Sequence, residues 1–133
     1  MKRSLVLDAS VGVKWFRTER GSGAAREFLL GATQGSLRVA VPTHFVHEVL
    51  SVVERRDHLP ARVVEAWDII VESGVDVVPL TDEVVREAAA QCERLGCSFY
   101  DALAPAVASL LGATLVSADF EAHALYPGVE LIG

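Results

Sequence analysis

Short apolar runs alternate with amphipathic stretches along the chain. Five runs, at positions 5–7, 37–41, 75–80, 114–118 and 129–132, predict β-strands buried between layers. Between them, apolar residues recur at helical spacing, and capping residues, Pro and Gly mark where helices begin and end. The stretches that predict helices are residues 11–16, 24–30, 43–56, 60–73, 82–95 and 99–111, with a helical turn after Asp119.

Strands separated by helices throughout predict an α/β fold, a three-layer α/β/α sandwich with a central parallel sheet. The chain has 133 residues, which suits a single domain over residues 1–133. Residues 31–36 predict a turn. The residues expected to cap helices are Ser10, Thr43, Thr81 and Ser98.

Two of the predicted strands end on a carboxylate. Asp8 follows the run 5–7, and Asp119 follows the run 114–118. Ligands of open α/β sheets bind beyond the carboxyl ends of the strands, where the strand order reverses. Two negative charges placed there repel each other, so the fold requires protonation or a cation between them. We interpret the cation as a divalent metal.

Two further acids occupy unusual helical positions. Glu48 shares an edge of the apolar stripe of its helix, and Asp101 lies in the first turn of an otherwise apolar helix. For Glu48, an interior salt bridge is the simpler alternative. For Asp101, the alternative is a favourable interaction with the helix dipole.

Four motifs stand in order along the chain. They are Leu7-Asp8-Ala9-Ser10 followed by Val13-Lys14-Trp15-Phe16, then Glu48, then Phe99-Tyr100-Asp101-Ala102-Leu103-Ala104, and finally Val116-Ser117-Ala118-Asp119-Phe120. In order and spacing they resemble the PIN-domain nucleases, and within these the VapC-type toxins of bacterial toxin–antitoxin pairs. The resemblance spans nearly the whole chain and implies a sheet of order 3-2-1-4-5.

The resemblance also implies an activity, the metal-dependent endoribonuclease cleavage of cellular RNA. The catalytic residues that it implies are Asp8, Glu48, Asp101 and Asp119. Of these, Asp8, Asp101 and Asp119 would hold Mg²⁺, for which Mn²⁺ can substitute. Ser10 and Ser117 would support them with hydroxyl groups. The implied partners are RNA, a VapB-type antitoxin and a second copy of the chain.

The charge balance does not favour nonspecific binding to polyanions, because the formal net charge is −6. RNA binding would therefore require metal ions and grouped basic residues. Most basic residues are Arg, whose planar guanidinium suits phosphate, although ordinary surface salt bridges are the alternative. The candidates for an RNA path are Lys14, Arg17, Arg20, Arg55 and Arg56, and which of them contact RNA stays unknown.

The two cysteines, Cys92 and Cys97, match neither a redox pair nor a zinc motif. We expect reduced thiols in a cytoplasmic protein with no secretion signal and no membrane-spanning segment. Trp15, Phe16 and Trp67 are expected on apolar faces. They indicate either a homodimer interface or simply the core.

Two other functions remain open. Pro105 lies four residues after Asp101 inside a predicted helix, where the family rarely has Pro, and it should kink that helix. This departure suggests a PIN-like protein with impaired catalysis that acts as an RNA-binding or regulatory partner. The second alternative is a phosphohydrolase acting on small phosphoesters. It is weaker, because the chain has no Gly-rich phosphate loop and no Asp-x-Asp motif after the first strand.

Overall fold

The computed structural model describes residues 2–133. Five strands and seven helices alternate along this part of the chain. In chain order they are β1 (Arg3–Leu7), α1 (Ala9–Phe16), α2 (Ser22–Gln34), β2 (Leu37–Pro42), α3 (Thr43–Asp57), α4 (Pro60–Glu72), β3 (Asp76–Val78), α5 (Asp82–Leu95), α6 (Phe99–Leu111), β4 (Thr114–Ser117), α7 (Phe120–His123) and β5 (Glu130–Leu131).

The strands form one sheet of order β3-β2-β1-β4-β5, and every neighbouring pair is parallel. This order confirms the prediction. β1 lies at the centre, with Leu5 opposite Val39 of β2 and Leu7 opposite Val116 of β4. The strand order reverses between β1 and β4, so their carboxyl ends lie side by side at the switch point.

Alternate side chains of β1 enter two separate hydrophobic clusters. Leu5 and Leu7 pack with apolar residues of α1, α2 and α3, whereas Val6 packs with residues of α5 and α6. Successive side chains of a strand point to opposite faces of the sheet, so the two clusters cover its two faces. The three-layer α/β/α prediction is confirmed.

Two of the four predicted caps are correct. Thr81 accepts a hydrogen bond from Val84 at the start of α5, and Ser98 caps α6. Ser10 lies inside α1, which is capped instead by the residue at the end of the preceding strand. Thr43 is the first residue of α3, because β2 continues through Pro42 and the helix begins directly after it.

The turn expected at residues 31–36 is wrong, because α2 continues to Gln34 and ends at Gly35, whose φ is 76°. Gly31 lies inside the helix against the side chain of Leu37, where a β-carbon would collide with it. The contact lets α2 pack closely on the strand that follows. Gly31 therefore serves helix packing rather than chain reversal.

The apolar side chains of α4 do not all face inward. Ala66 and Ile70 are buried, whereas Val64, Trp67 and Val71 are exposed. Because α4 packs against α3 at the periphery, only one narrow stripe of the helix reaches the core. Trp67 is thus an exposed aromatic, whereas Trp15 belongs to the core.

Candidate functional site

Asp8 is fixed at the carboxyl end of β1. Its backbone N–H donates to the carbonyl of Val116 at 3.0 Å, which continues the pairing of β1 with β4. Its carboxylate Oδ2 accepts from the backbone N–H of Ser10 at 3.1 Å and from the Ser10 hydroxyl at 2.6 Å. Asp8 is therefore the N-cap of α1, and both its backbone and its side chain are held.

Ser10 connects the two strand ends. Besides donating to Asp8, its Oγ accepts a hydrogen bond of 2.9 Å from the backbone N–H of Ala118, directly after β4. Asp119 is the next residue. One hydroxyl group thus relates the position of the Asp8 carboxylate to the backbone that carries Asp119.

Asp119 is held at both its backbone and its side chain. Its N–H donates to the buried Ser117 Oγ at 3.0 Å, and its Oδ1 accepts from the N–H of Ala122 at 3.0 Å, which caps α7. Asp119 is half-buried, so its carboxylate is fixed but accessible. Ser117 therefore helps to fix the position of Asp119 by accepting a hydrogen bond from its backbone N–H.

Asp101 lies in the first turn of α6, where its N–H donates to the Ser98 hydroxyl at 3.2 Å. Its side chain borders two clefts. It lines the smaller cleft, of about 360 Å³, together with Asp119. It lines the larger cleft, of about 760 Å³, together with Glu48. Asp101 is thus the acid that the two clefts share.

The sequence suggested that Glu48 lies on a buried edge of its helix, but the structure shows that it is exposed. Its side chain is 47% exposed, and its Oε2 lies 3.8 Å from Nε2 of His44, one helical turn earlier. The residues of α3 that face the core are its neighbours Phe45 and Val49. Glu48 therefore forms part of the wall of the larger cleft, outside the buried stripe of α3.

Three of the predicted site acids have no cationic partner among residues 2–133. Asp8, Asp101 and Asp119 form no ion pair with Lys, Arg or His there. Carboxylate and hydroxyl oxygens are the ligands that Mg²⁺ and Mn²⁺ prefer, with water completing the shell. The donor set therefore fits such an ion.

The described residues nevertheless contain no group of three or more His, Cys, Asp or Glu side chains gathered as a metal site. The structure brings Asp101 and Asp119 to one cleft and Asp8 to the adjoining strand end, without closing a cage.

Cys97 lines the smaller cleft. Burial, together with the neighbouring Cys92 and the charges of Asp101 and Asp119, raises the pKa of the Cys97 thiol. Both cysteines are free. The charges of Asp101 and Asp119, which add to the effect of burial on this thiol, also favour a cation in the cleft.

Two functional candidates were missed in the sequence. His44 and Tyr100 stack with ring centroids 4.6 Å apart and 26° between their planes, on the wall of the larger cleft beside Glu48 and Asp101. Tyr100 is 63% exposed. An exposed aromatic residue directly before Asp101 was an available signal. The contact with His44 in α3 was not, because only the fold creates it.

Three of the five basic candidates for an RNA path make contacts within the protein. Lys14 is buried, where its Nζ donates to the Glu19 carboxylate at 3.0 Å and to the Arg20 carbonyl at 2.6 Å. Arg17 Nε lies 2.7 Å from the same Glu19 carboxylate. Arg56 donates to a backbone carbonyl at the end of α1. These groups stabilise the α1–α2 connection and the neighbouring helix.

Among residues 2–133, no helix combines the length and the apolar character that crossing a bilayer requires. A comparison with curated protein sequences finds no match. A family model described as "PIN domain" matches residues 5–126, which is most of the chain.

Solved structures with the same fold include proteins of toxin–antitoxin systems. The toxin VapC20 of Mycobacterium tuberculosis, described as cleaving the sarcin–ricin loop, is 22% identical, with a TM-score of 0.69 over 95% of this chain and 98% of that one. VapBC2 of Rickettsia felis, bound to promoter DNA, is 16% identical, with a TM-score of 0.71 over 96% of each chain. A toxin–antitoxin complex of Klebsiella pneumoniae is 17% identical, with a TM-score of 0.70 over 94% of each chain.

Proposed function

The chain belongs to the PIN-domain family, and from that membership we propose that it is a metal-dependent endoribonuclease, the toxin of a toxin–antitoxin pair. The observation that carries the proposal is that Asp101 and Asp119 line one cleft beside the strand end that carries Asp8, and that the three acids have no cationic partner among residues 2–133. The description of VapC20 as a toxin that cleaves the sarcin–ricin loop supports RNA as the class of substrate.

The three aspartates are the proposed ligands of Mg²⁺, with Mn²⁺ as a substitute. When bound, such an ion supplies a more acidic water and stabilises negative charge that develops at phosphorus. Ser10 fixes the rotamer of Asp8 through its hydroxyl. Glu48 is the fourth proposed catalytic acid, and it faces the larger cleft across from Asp101.

The stacked pair of His44 and Tyr100 supports a contact with RNA bases. Unpaired RNA bases stack on aromatic side chains, and such stacking tolerates many sequences. The exposed ring of Tyr100 stands one residue from Asp101, so a base stacked on it would lie beside the acidic site. We assign Tyr100 to substrate binding rather than to bond cleavage.

The proposed protein partners are a VapB-type antitoxin and a second copy of the chain. Toxin–antitoxin complexes among the similar structures support the antitoxin. We expect its segment to lie across the acidic site and to offer Arg to the aspartates. The exposed Val64, Trp67 and Val71 of α4 support a protein interface. Light scattering at high micromolar concentration should show a dimer, and a monomer would refute the homodimer.

Cleavage of RNA tests the proposal. The purified protein should cut structured RNA with Mg²⁺ or Mn²⁺, and EDTA should stop the reaction. Asp8→Asn should reduce the rate at least ~100-fold, the scale of removing one key group from a preorganised site. Asp68→Asn, on the exposed side of α4, is the matched control and should cut normally. An Asp8→Asn protein as fast as the wild type would contradict the mechanism.

One observation favours the alternative of an RNA-binding partner with impaired catalysis, namely Pro105 inside α6. The helix nevertheless runs without interruption from Phe99 to Leu111. RNA binding by the wild-type protein without cleavage, at saturating Mg²⁺ and Mn²⁺, would establish that alternative.

A further inference from the structure

His123 is a fully buried polar residue whose two ring nitrogens both have partners. Nδ1 lies 2.6 Å from Ser117 Oγ, and Nε2 lies 2.6 Å from the backbone carbonyl oxygen of Asp101. A carbonyl oxygen can only accept, so Nε2 carries the proton. In the neutral ring, Nδ1 then accepts the hydroxyl hydrogen of Ser117.

The Asp101 carbonyl needs such a donor because of Pro105. In an α-helix the carbonyl of residue i accepts from the N–H of residue i+4, and the residue four positions after Asp101 is Pro105, which has no N–H. A buried carbonyl without a partner destabilises a fold. The His123 ring reaches α6 from α7 and supplies the hydrogen bond that the helix cannot make.

The contact extends to the second acid of the smaller cleft. Ser117 Oγ, which donates to His123, also accepts from the backbone N–H of Asp119 at 3.0 Å. A continuous series of hydrogen bonds therefore runs from the Asp119 backbone through Ser117 and His123 to the Asp101 backbone. It joins β4 to α6 beneath the two carboxylates that share a cleft.

We propose that His123 is a positioning residue that sets the spacing of Asp101 and Asp119, and that it replaces the helical donor which Pro105 removes. This inference rests on the proposed function, since the spacing matters for catalysis only if the two acids act together. The proposal also gives Pro105 a role that is compatible with an active site. The proline leaves the Asp101 carbonyl free for a contact from outside the helix.

A double-mutant cycle tests the pairing of His123 with Pro105. His123→Leu removes both ring hydrogen bonds at similar volume, and Pro105→Ala restores an N–H that can reach the Asp101 carbonyl. His123→Leu should reduce kcat for RNA by ~10–100-fold, the scale of misplacing a catalytic group, while KM changes less than about threefold. In the Pro105→Ala background, His123→Leu should reduce kcat by a factor at least about threefold smaller, because residues that share a hydrogen-bond partner couple.

The conservative variant His123→Gln distinguishes positioning from packing. Its amide nitrogen can still donate to the Asp101 carbonyl, so it should recover at least about a third of the wild-type kcat. It also serves if His123→Leu does not fold. A folded His123→Leu protein that cuts RNA at the wild-type rate would overturn the proposal. A folded His123→Gln protein that is as slow as His123→Leu would overturn it as well.

Two measurements need no RNA cleavage and therefore separate this inference from the proposed function. Nitrogen-15 NMR of the ring should show a hydrogen on Nε2, and a bare Nε2 would overturn the hydrogen bond to the Asp101 carbonyl. Urea unfolding should be measured on the wild type, His123→Leu, Pro105→Ala and the double variant. His123→Leu should lower the unfolding midpoint less in the Pro105→Ala background than in the wild type. Equal drops in the two backgrounds would overturn the pairing, whether or not the wild type cuts RNA.

Discussion

The side-chain oxygen of Ser10 accepts a 2.9 Å hydrogen bond from the backbone N–H of Ala118, 108 residues further along the chain. The same hydroxyl donates to the Asp8 carboxylate. The two strand ends that carry Asp8 and Asp119 are therefore connected through one small side chain, and the spacing of the two acids depends on it.

Ser10→Ala should lower both stability and activity. It leaves the Ala118 N–H without its partner and releases the Asp8 carboxylate, so we expect a loss of about 1–2 kcal/mol in the free energy of unfolding. RNA cleavage should fall by about tenfold. Ser10→Thr keeps the hydroxyl and is the matched control. Urea unfolding and cleavage assays on both variants check the prediction, and a neutral Ser10→Ala would contradict it.

Gly12→Ala should destabilise the fold around α1. A β-carbon at Gly12 would collide with the ring of Phe45 and with Val49 on α3, so the two helices could not remain as close. We expect a loss of about 1–3 kcal/mol in the free energy of unfolding, the usual cost of overpacking a core. Gly23→Ala, where a β-carbon meets nothing within 4 Å, is the control and should be neutral or stabilising. Equal melting temperatures for the two variants would contradict the packing argument.

Glu19→Gln should make stability less dependent on pH in the acid range. Partial burial by itself raises the pKa of Glu19. Hydrogen bonds and charges from Lys14 and Arg17 lower this pKa by more than burial raises it, so the net shift is downward. A lowered pKa contributes stability above the unfolded-state value, and that contribution is lost as pH falls through the folded-state value. The wild type should therefore exceed Glu19→Gln by about 1 kcal/mol at pH 7, and the difference should shrink as pH falls below the unfolded-state pKa and through the lower folded-state pKa.

Urea unfolding at several pH values measures that difference. Glu65→Gln is the control, because its partner Arg62 is exposed and such surface pairs contribute little. A difference between wild type and Glu19→Gln that grows as pH falls would contradict the sign.

Tyr100→Ala should weaken substrate binding more than catalysis. Loss of a stacked base costs about 1–3 kcal/mol, so KM for RNA should rise by roughly 5–150-fold while kcat changes little. Tyr100→Phe keeps the ring and should behave as the wild type. Steady-state cleavage kinetics measure both constants. A fall in kcat at constant KM would instead place Tyr100 in the chemical step.

The sheet and the strand-end acids could be predicted because their signals are local. An apolar run that stops at a carboxylate marks both β1 with Asp8 and β4 with Asp119, and the family motifs imply the strand order. The helix bounds at Gly96 and Gly112 follow from single residues that adopt positive φ. These features need no knowledge of distant contacts.

The features that could not be predicted depend on tertiary contacts. Gly31 predicts a turn in the sequence, whereas in the structure it packs against Leu37. Trp67 fits an apolar helical stripe, yet only the packing of α4 shows that it faces outward. His123 lies 22 residues from Asp101, so its hydrogen bond to that carbonyl has no local signal.

Asp8, Asp101 and Asp119 are proposed to share one metal ion. The measurement is a set of melting curves in EDTA and in Mn²⁺ for wild type, Asp8→Asn and Asp119→Asn, with Asp68→Asn as the control. Asn is as good an N-cap as Asp, so neither substitution at the strand ends should remove a helix cap. Relief of like-charge repulsion should then leave both variants as stable as the wild type, or more stable, in EDTA.

An ion that binds only the folded state, at a hundredfold excess over Kd, adds about 2.7 kcal/mol and raises Tm by roughly 5–15 °C for a domain of this size. Wild type and Asp68→Asn should show that rise with Mn²⁺, and Asp8→Asn and Asp119→Asn should lose most of it. If Asp8→Asn melts well below the wild type in EDTA and still gains the full rise from Mn²⁺, then Asp8 is a structural acid and the shared metal site is wrong.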